Sequence, residues 1–319
     1  MDPNILERVL TTETTHWGKL AGLAAAFAWA ITSLIFVNVR APAAAINLFK
    51  NGWSCVFLIA TIGVIGVGTG SPLHDSGILS ADLTTWGWLA ASAVTGLVIG
   101  DTGYFRSLQI LGPRRCLTLT TLAPLMSALL ALLILEEHLG PVAWTGMGVT
   151  LAGVVWVIRE RVPSEESPRH YPGSVAAGAF AGTIGALGQA LGAICSKQAI
   201  HRGIDPLDAT CGRMLLAVVI GAAIAASRAQ LAPWCKILCS RSSLVRIVPA
   251  AFLGTYLGVW LCLFAYKHTS VGVATTMHST SPIFVLPLIL LIYRRKITLR
   301  AMLGALVAVA GIALLFVED

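Results

Sequence analysis

The sequence predicts an all-α integral membrane protein, with ten transmembrane helices arranged as two inverted five-helix repeats. Three observations lead there. Of 319 residues, 56% are hydrophobic and only 12% charged, and the mean hydropathy is +0.80, where soluble domains carry about 25% charged residues. The apolar residues fall in solid runs of about 20, long enough to cross a hydrocarbon core of roughly 30 Å at about 1.5 Å per residue. Alternating strands of the kind a membrane barrel needs are missing. Finally, the stretch beginning at Gly96 is repeated from Gly254 without a gap. Gly96 falls on Gly254, Gly100 on Gly258, Thr118 on Thr276, Pro124 on Pro282, Gly146 on Gly304 and Gly153 on Gly311. Small residues and a proline keep their places while the apolar residues between them drift, as in a duplicated helical unit held by its packing points.

Ten runs follow in order: 18–37, 46–68, 86–108, 116–135, 142–158, 174–197, 208–226, 247–266, 273–292 and 300–317. Residues 1–16 are polar, with Asp2, Glu7 and Glu13, so the first run reads as an uncleaved anchor. The two longest connections within the halves, 69–85 and 227–246, each separate the second and third helix of a half. The stretch 159–173, rich in charge, proline and serine, reads as the linker between a repeat at 1–158 and one at 174–319. Five crossings per repeat make the second half enter from the opposite side, which inverts it. In the sixth run, Gly178, Gly182, Gly188 and Gly192 give two GxxxG spacings, read either as close helix packing or as a smooth wall beside a cavity.

The formal charge of +7 calls for no nucleic acid partner, since basic residues in short loops set membrane orientation. Loops after odd-numbered helices hold most of them, including Arg40, Arg114, Arg115, Arg159, Arg246, Arg294 and Arg295. The count places both termini outside the cytoplasm. Of seven cysteines, only Cys235 and Cys239 lie close together. A lone CxxxC is weak as a metal or disulfide signal, and neither metal nor cofactor is expected.

Ionisable residues within apolar runs mark function, because each costs roughly 2.5–3.5 kcal/mol at a helix centre. Asp101 lies inside the third run between Gly100 and Gly103, with Tyr104 on its face. It needs either a partner or a proton. Lys50 is the expected cationic partner, flanked by Asn47 and Asn51 on one polar face of the second run. Arg213 holds the equivalent place in the seventh run. Each cation can instead snorkel to the interface. Gln189, His278 and Trp260 complete the candidate substrate-binding set, and Trp29, Tyr256 and Tyr266 read as belt or core aromatics. Pro124 and Pro282 lie inside the fourth and ninth runs, where a proline frees a carbonyl and permits a gating kink. Glu136 and Glu137 read as an interfacial helix end. No catalytic constellation stands out: six of seven histidines lie in or beside loops, and no HExxH, nucleophile elbow or phosphate loop occurs.

The segment GDTGYFRSLQILGPRR, the Pro124 helix closed by Glu136-Glu137 and the GMGVTLAGVVWVI helix, all echoed in the second half, resemble the EamA family of the drug/metabolite transporter superfamily. The resemblance covers essentially the full chain. It implies ten helices in two inverted repeats around a central cavity, and secondary transport of small metabolites, often efflux, by alternating access. Two features depart from it. Arg106 stands where members usually have a neutral residue, and Arg294-Arg295 replace an acidic helix end. The resemblance also implies cytoplasmic termini, against the charge count.

The expected function is therefore non-enzymatic transport of a small anionic or zwitterionic, amino-acid-like solute across the cell (inner or plasma) membrane. The expected partners are the solute, the lipid bilayer and a coupling proton if Asp101 is unpaired; the chain would act as a monomer or homodimer. The rival reading is a non-transporting membrane protein, either a lipid-modifying enzyme or an assembly scaffold.

Overall fold

The computed structural model describes residues 3–36, 38–69, 81–120, 122–159, 173–281, 283–284, 287–288 and 299–317. Every element among them is helical. The first two helices are α1 (Pro3–Phe36) and α2 (Ala43–Thr69). Next, α3 (Leu83–Ser92) runs on as a π-helical stretch, Ala93–Gly100, into α4 (Asp101–Thr120). There follow α5 (Leu122–Ile134), α6 (Pro141–Arg159), α7 (Val175–His201), α8 (Pro206–Ser227) and the short α9 (Leu231–Leu238). A second π-helical stretch, Ala251–Leu257, links α10 (Arg241–Ala250) to α11 (Gly258–His268), and α12 (Val271–His278) and α13 (Leu299–Val317) complete the chain.

Among the described residues, six helical segments are long and apolar enough to cross a membrane: Thr15–Phe36, Ala43–Val67, Leu83–Leu111, Val175–His201, Pro206–Ser227 and Arg241–His268. Three shorter apolar helices, Leu122–Ile134, Pro141–Trp156 and Met302–Leu315, accompany them. Burial is inverted relative to a soluble protein. Val64 is 72% exposed and Phe180 70%, whereas Lys50 and Arg213 are 5% and 6% exposed. Only a lipid surround makes that distribution favourable.

Several boundaries differ from the sequence expectation. The connection 227–246 is shorter than the composition suggests, because α9 forms within it and α10 already begins at Arg241. Side-chain caps mark other helix starts. Asp205 Oδ1 accepts from Leu207 N at 2.9 Å ahead of Pro206, which starts α8 before the apolar run does. Ser174 Oγ accepts from Ala177 N at 3.1 Å at the start of α7. The helical stretch Asp101–Thr120 spans the turn expected at 109–115, yet the chain does reverse. Cys116 Sγ lies 3.5 Å from Tyr104 O, twelve residues earlier, where a straight helix would separate them by about 18 Å. Most of the linker, the connection 70–80, Pro282 and 289–298 lie outside the described residues.

The packing couples the two halves. α4 and the π-helical stretch before it lie on α7, α11 lies on α1, α2 on α8, α5 on α12 and α6 on α13. The GxxxG residues of the sixth run serve the first of these contacts. A Cβ on Gly188 would sit 2.5 Å from Thr95 O and 2.7 Å from Gly100 Cα, and one on Gly192 would sit 2.7 Å from Gly96 Cα. Without side chains at these points the backbones meet directly, which is where van der Waals attraction is gained in lipid. The α6–α13 contact is reciprocal: Gly153 meets Ala308 and Gly304, while Gly311 meets Thr150 and Gly146. In the repeat alignment Gly146 pairs with Gly304, Thr150 with Ala308 and Gly153 with Gly311, so each contact has its counterpart in the other half.

The two π-helical stretches also occupy aligned positions, Ala93 on Ala251 and Leu97 on Thr255. In each, an amide reaches back five residues, Asp101 N to Gly96 O and Gly258 N to Leu253 O. A side chain from another helix bonds a carbonyl within each stretch. Asn47 Nδ2 donates to Leu97 O at 2.5 Å, and Trp29 Nε1 donates to Gly254 O at 2.6 Å.

Candidate functional site

Between the halves lies a cavity of about 200 Å³. Its wall takes residues from both π-helical stretches (Gly96, Leu97, Gly254, Thr255) and from helices of both halves. The charged side chains on it, among the described residues, are Lys50, Asp101 and Arg213. Asp101 opens α4 directly after a π-helical turn, and Lys50 meets it from α2, with Nζ 2.7 Å from Oδ2. The same Nζ donates to Asn51 Oδ1 at 2.9 Å, Asn51 Nδ2 to Asn47 Oδ1 at 3.2 Å, and Asn47 Nδ2 to Thr102 Oγ1 at 3.0 Å. Lys50 also lies 5.9 Å from the centroid of the Phe105 ring. The pair is thus held by a chain of amides that leaves its geometry little freedom.

Arg213 enters from α8 and has no such partner. Its Nε is buried without a hydrogen bond among the described residues, and none of the described carboxylates forms an ion pair with it. His278 lies close by: Nδ1 is 3.3 Å from Cys262 Sγ, Nε2 has no partner among the described residues, and the ring meets Trp29 at 5.3 Å and Tyr266 at 5.7 Å. A buried guanidinium that no carboxylate pairs directly is costly to leave so, and such a group can take an anion as its counter-charge.

The cavity wall runs lengthwise along the bundle. It extends to Phe36, the last residue of α1, and to Leu108 near the end of the third span. Toward the other end the wall stops at Arg213, Tyr266 and Thr275. Past them, Glu137 Oε1 pairs with Lys197 Nζ at 2.6 Å, Lys197 Nζ also donates to Thr269 O at 2.7 Å, and Val271 N donates to Glu137 Oε2 at 2.9 Å. One carboxylate therefore ties the end of α5 to α7 and to the first amide of α12, where a negative charge is favoured. Two exposed pairs surround it, Arg202–Asp82 at 3.4 Å and Lys267–Asp205 at 3.5 Å, worth little by themselves.

The sequence profile of the EamA-like transporter family matches residues 16–159 and again 176–317. The chain belongs to the EamA-like transporter family. It is accordingly a multi-pass membrane transporter of the drug/metabolite transporter superfamily. No curated protein matches its sequence. Among solved structures, one crystal structure of a protein is 17% identical to it, covers 93% of this chain and 96% of its own, and superposes with a TM-score of 0.71. At that identity the likeness carries the fold.

In this EamA-like transporter the candidate residues separate into three groups. Lys50, Asp101, Tyr104, Gln189, Arg213 and His278 come together on the cavity wall. Asn47 and Asn51, expected to touch solute, stand behind it, because their amides hold Lys50, Leu97 O and Thr102. Trp260 is also off the wall, packed 6.2 Å from the Tyr256 ring, and Tyr256 itself hydrogen-bonds Thr61 at 2.8 Å. Pro124 is buried near the start of α5 rather than at mid-helix, and Pro282 lies outside the described residues. Sequence reasoning passed over Trp29 and Tyr266 as wall residues, and Glu137 with Lys197 as a pair. The last two carried a signal: opposite charges at run ends that face the same side of the membrane.

Proposed function

We propose that this transporter is a secondary carrier that moves a small anionic or zwitterionic, amino-acid-like solute across the cell membrane by alternating access. The observation that carries the reading is the buried Arg213, in no ion pair among the described residues, beside the Lys50–Asp101 pair in a cavity walled by both halves. Asp101 then serves as counter-charge to Lys50 and sets how much positive charge the wall presents. Solute enters from the Phe36–Leu108 end while Glu137 and Lys197 keep the opposite end shut. Ten helices in two inverted repeats, 1–158 and 174–319, are the architecture we propose. The reciprocal α6–α13 contacts and the paired π-helical stretches support it, since inversion exchanges equivalent positions of the two halves. Alternation then exchanges their roles: rocking the halves opens the Glu137 end and closes the other. Efflux is the direction the family likeness favours.

The experiment is uptake and counterflow in liposomes containing purified protein, with a pool of small metabolites read by mass spectrometry. Protein-dependent exchange of an anion or zwitterion supports the carrier. A pool unchanged relative to protein-free vesicles refutes it.

A further inference from the structure

Resting on the carrier reading, the wall chemistry narrows the solute class. Count first the charges that face the cavity from every element packed around it. α2 supplies Lys50, α4 supplies Asp101 and α8 supplies Arg213, and no other acidic or basic chain among the described residues lines it. Among the described residues His278 meets Cys262 and two aromatic rings, and forms no ion pair. The Glu137–Lys197 pair is internally neutral and lies outside the wall. Lys50 and Asp101 cancel at 2.7 Å. One positive charge remains, on Arg213.

In a low-dielectric site, the ligand that leaves no net charge is the one favoured. A monoanion does so. A zwitterion leaves the site at one positive charge, and its ammonium would find only a carboxylate already held by Lys50, with that like charge beside it. A dianion overshoots by one negative charge. The body of the ligand is set by the rest of the wall. Trp29, Phe36, Tyr104, Phe105 and Tyr266 are aromatic, and the rings around His278 stand edge to face, presenting flat apolar surface. The cavity, about 200 Å³, lies below the roughly 300–1,000 Å³ of drug-sized pockets, which favours a small ligand. Gln189, on the same wall, offers an amide to a second carboxylate oxygen.

We propose that the cavity selects a small monocarboxylate with a flat apolar body, against both zwitterions and dianions of the same size. Arg213 is the carboxylate anchor, and the Lys50–Asp101 pair is the element that fixes the charge preference.

Four probes that share one benzene ring and differ in charge test this: benzoate, phenylalanine, phthalate and benzylamine, titrated against purified protein in detergent by tryptophan fluorescence and melting temperature. Benzoate should bind at least about tenfold more tightly than the other three. Arg213→Gln should lose about tenfold or more of that affinity, while Arg213→Lys keeps most of the preference. Changing the wall charge should move the preference predictably. Lys50→Met, which leaves Asp101 facing Arg213, should favour phenylalanine. Asp101→Asn, which leaves two cations, should favour phthalate. Size-exclusion profiles separate misfolded variants from folded ones, and wild type with Arg213→Lys suffices should Lys50→Met or Asp101→Asn fail to fold. Equal binding of benzoate and phenylalanine, tighter phthalate binding, or no benzoate binding overturns the inference. The carrier reading fails on a different result, an unchanged metabolite pool in the liposome experiment.

Discussion

Lys50 and Asp101, about two turns into α2 and at the first residue of α4, form an ion pair at 2.7 Å with side chains 6% and 18% exposed. Neither can be left alone at that depth without cost, because the low-dielectric surround that strengthens their attraction also penalises an orphaned charge. The pair therefore links the stability of the transporter to the charge of its cavity.

Asp101→Asn should destabilise the protein by about 3–5 kcal/mol, the usual penalty for removing one partner of a buried pair. Adding Lys50→Met should recover part of that loss. Melting temperatures of the two variants and wild type, measured in one detergent, check it. Unchanged stability of Asp101→Asn with pH-driven transport abolished would instead make Asp101 a proton carrier.

The close approach of α7 to the third span sets a second expectation. Gly188→Ala places a methyl 2.5 Å from Thr95 O and 2.7 Å from Gly100 Cα, so backbone must move, at about 1–3 kcal/mol. Gly148→Ala, on α6 with nothing within 4 Å of the added carbon, should be neutral or stabilising by up to about 1 kcal/mol. Thermal melts of the two variants should separate in that order.

These two cases show how far the sequence alone could be read. Glycine spacing is legible because a missing side chain in an apolar run has few uses other than contact. Asp101 and Lys50 are legible because insertion is costly and the cost demands a partner. The place of Asn47 and Asn51 off the wall was not legible for a related reason: polar amides in lipid mark a network, but sequence does not say whether its end is a solute or a backbone carbonyl such as Leu97 O. Glu137 was less legible still. A charge at the end of a run resembles any interfacial residue until α7 and α12 bring Lys197 Nζ and Val271 N to its two oxygens.

Glu137→Gln should loosen the closed end. In a background without other cysteines, Thr275→Cys on the cavity wall should react faster with a membrane-impermeant thiol reagent added from that end once Glu137 is replaced. Equal reaction rates with and without the replacement would remove Glu137 from the closure.

Orientation is open to direct labelling. The basic loops predict that Asn4→Cys is modified by an impermeant reagent in intact cells, with both termini outside the cytoplasm. Modification only after permeabilisation would place the termini inside and make the basic loops external.

On the carrier reading, transport depends most directly on Arg213. Liposomes loaded with a metabolite pool and bearing either wild type or Arg213→Gln should differ in one respect. At least one small organic anion or zwitterion should exchange across the wild-type vesicles about tenfold faster than across the variant, with both proteins equally folded. Exchange at the same rate with Arg213→Gln, or no exchange beyond that of protein-free vesicles, would contradict it.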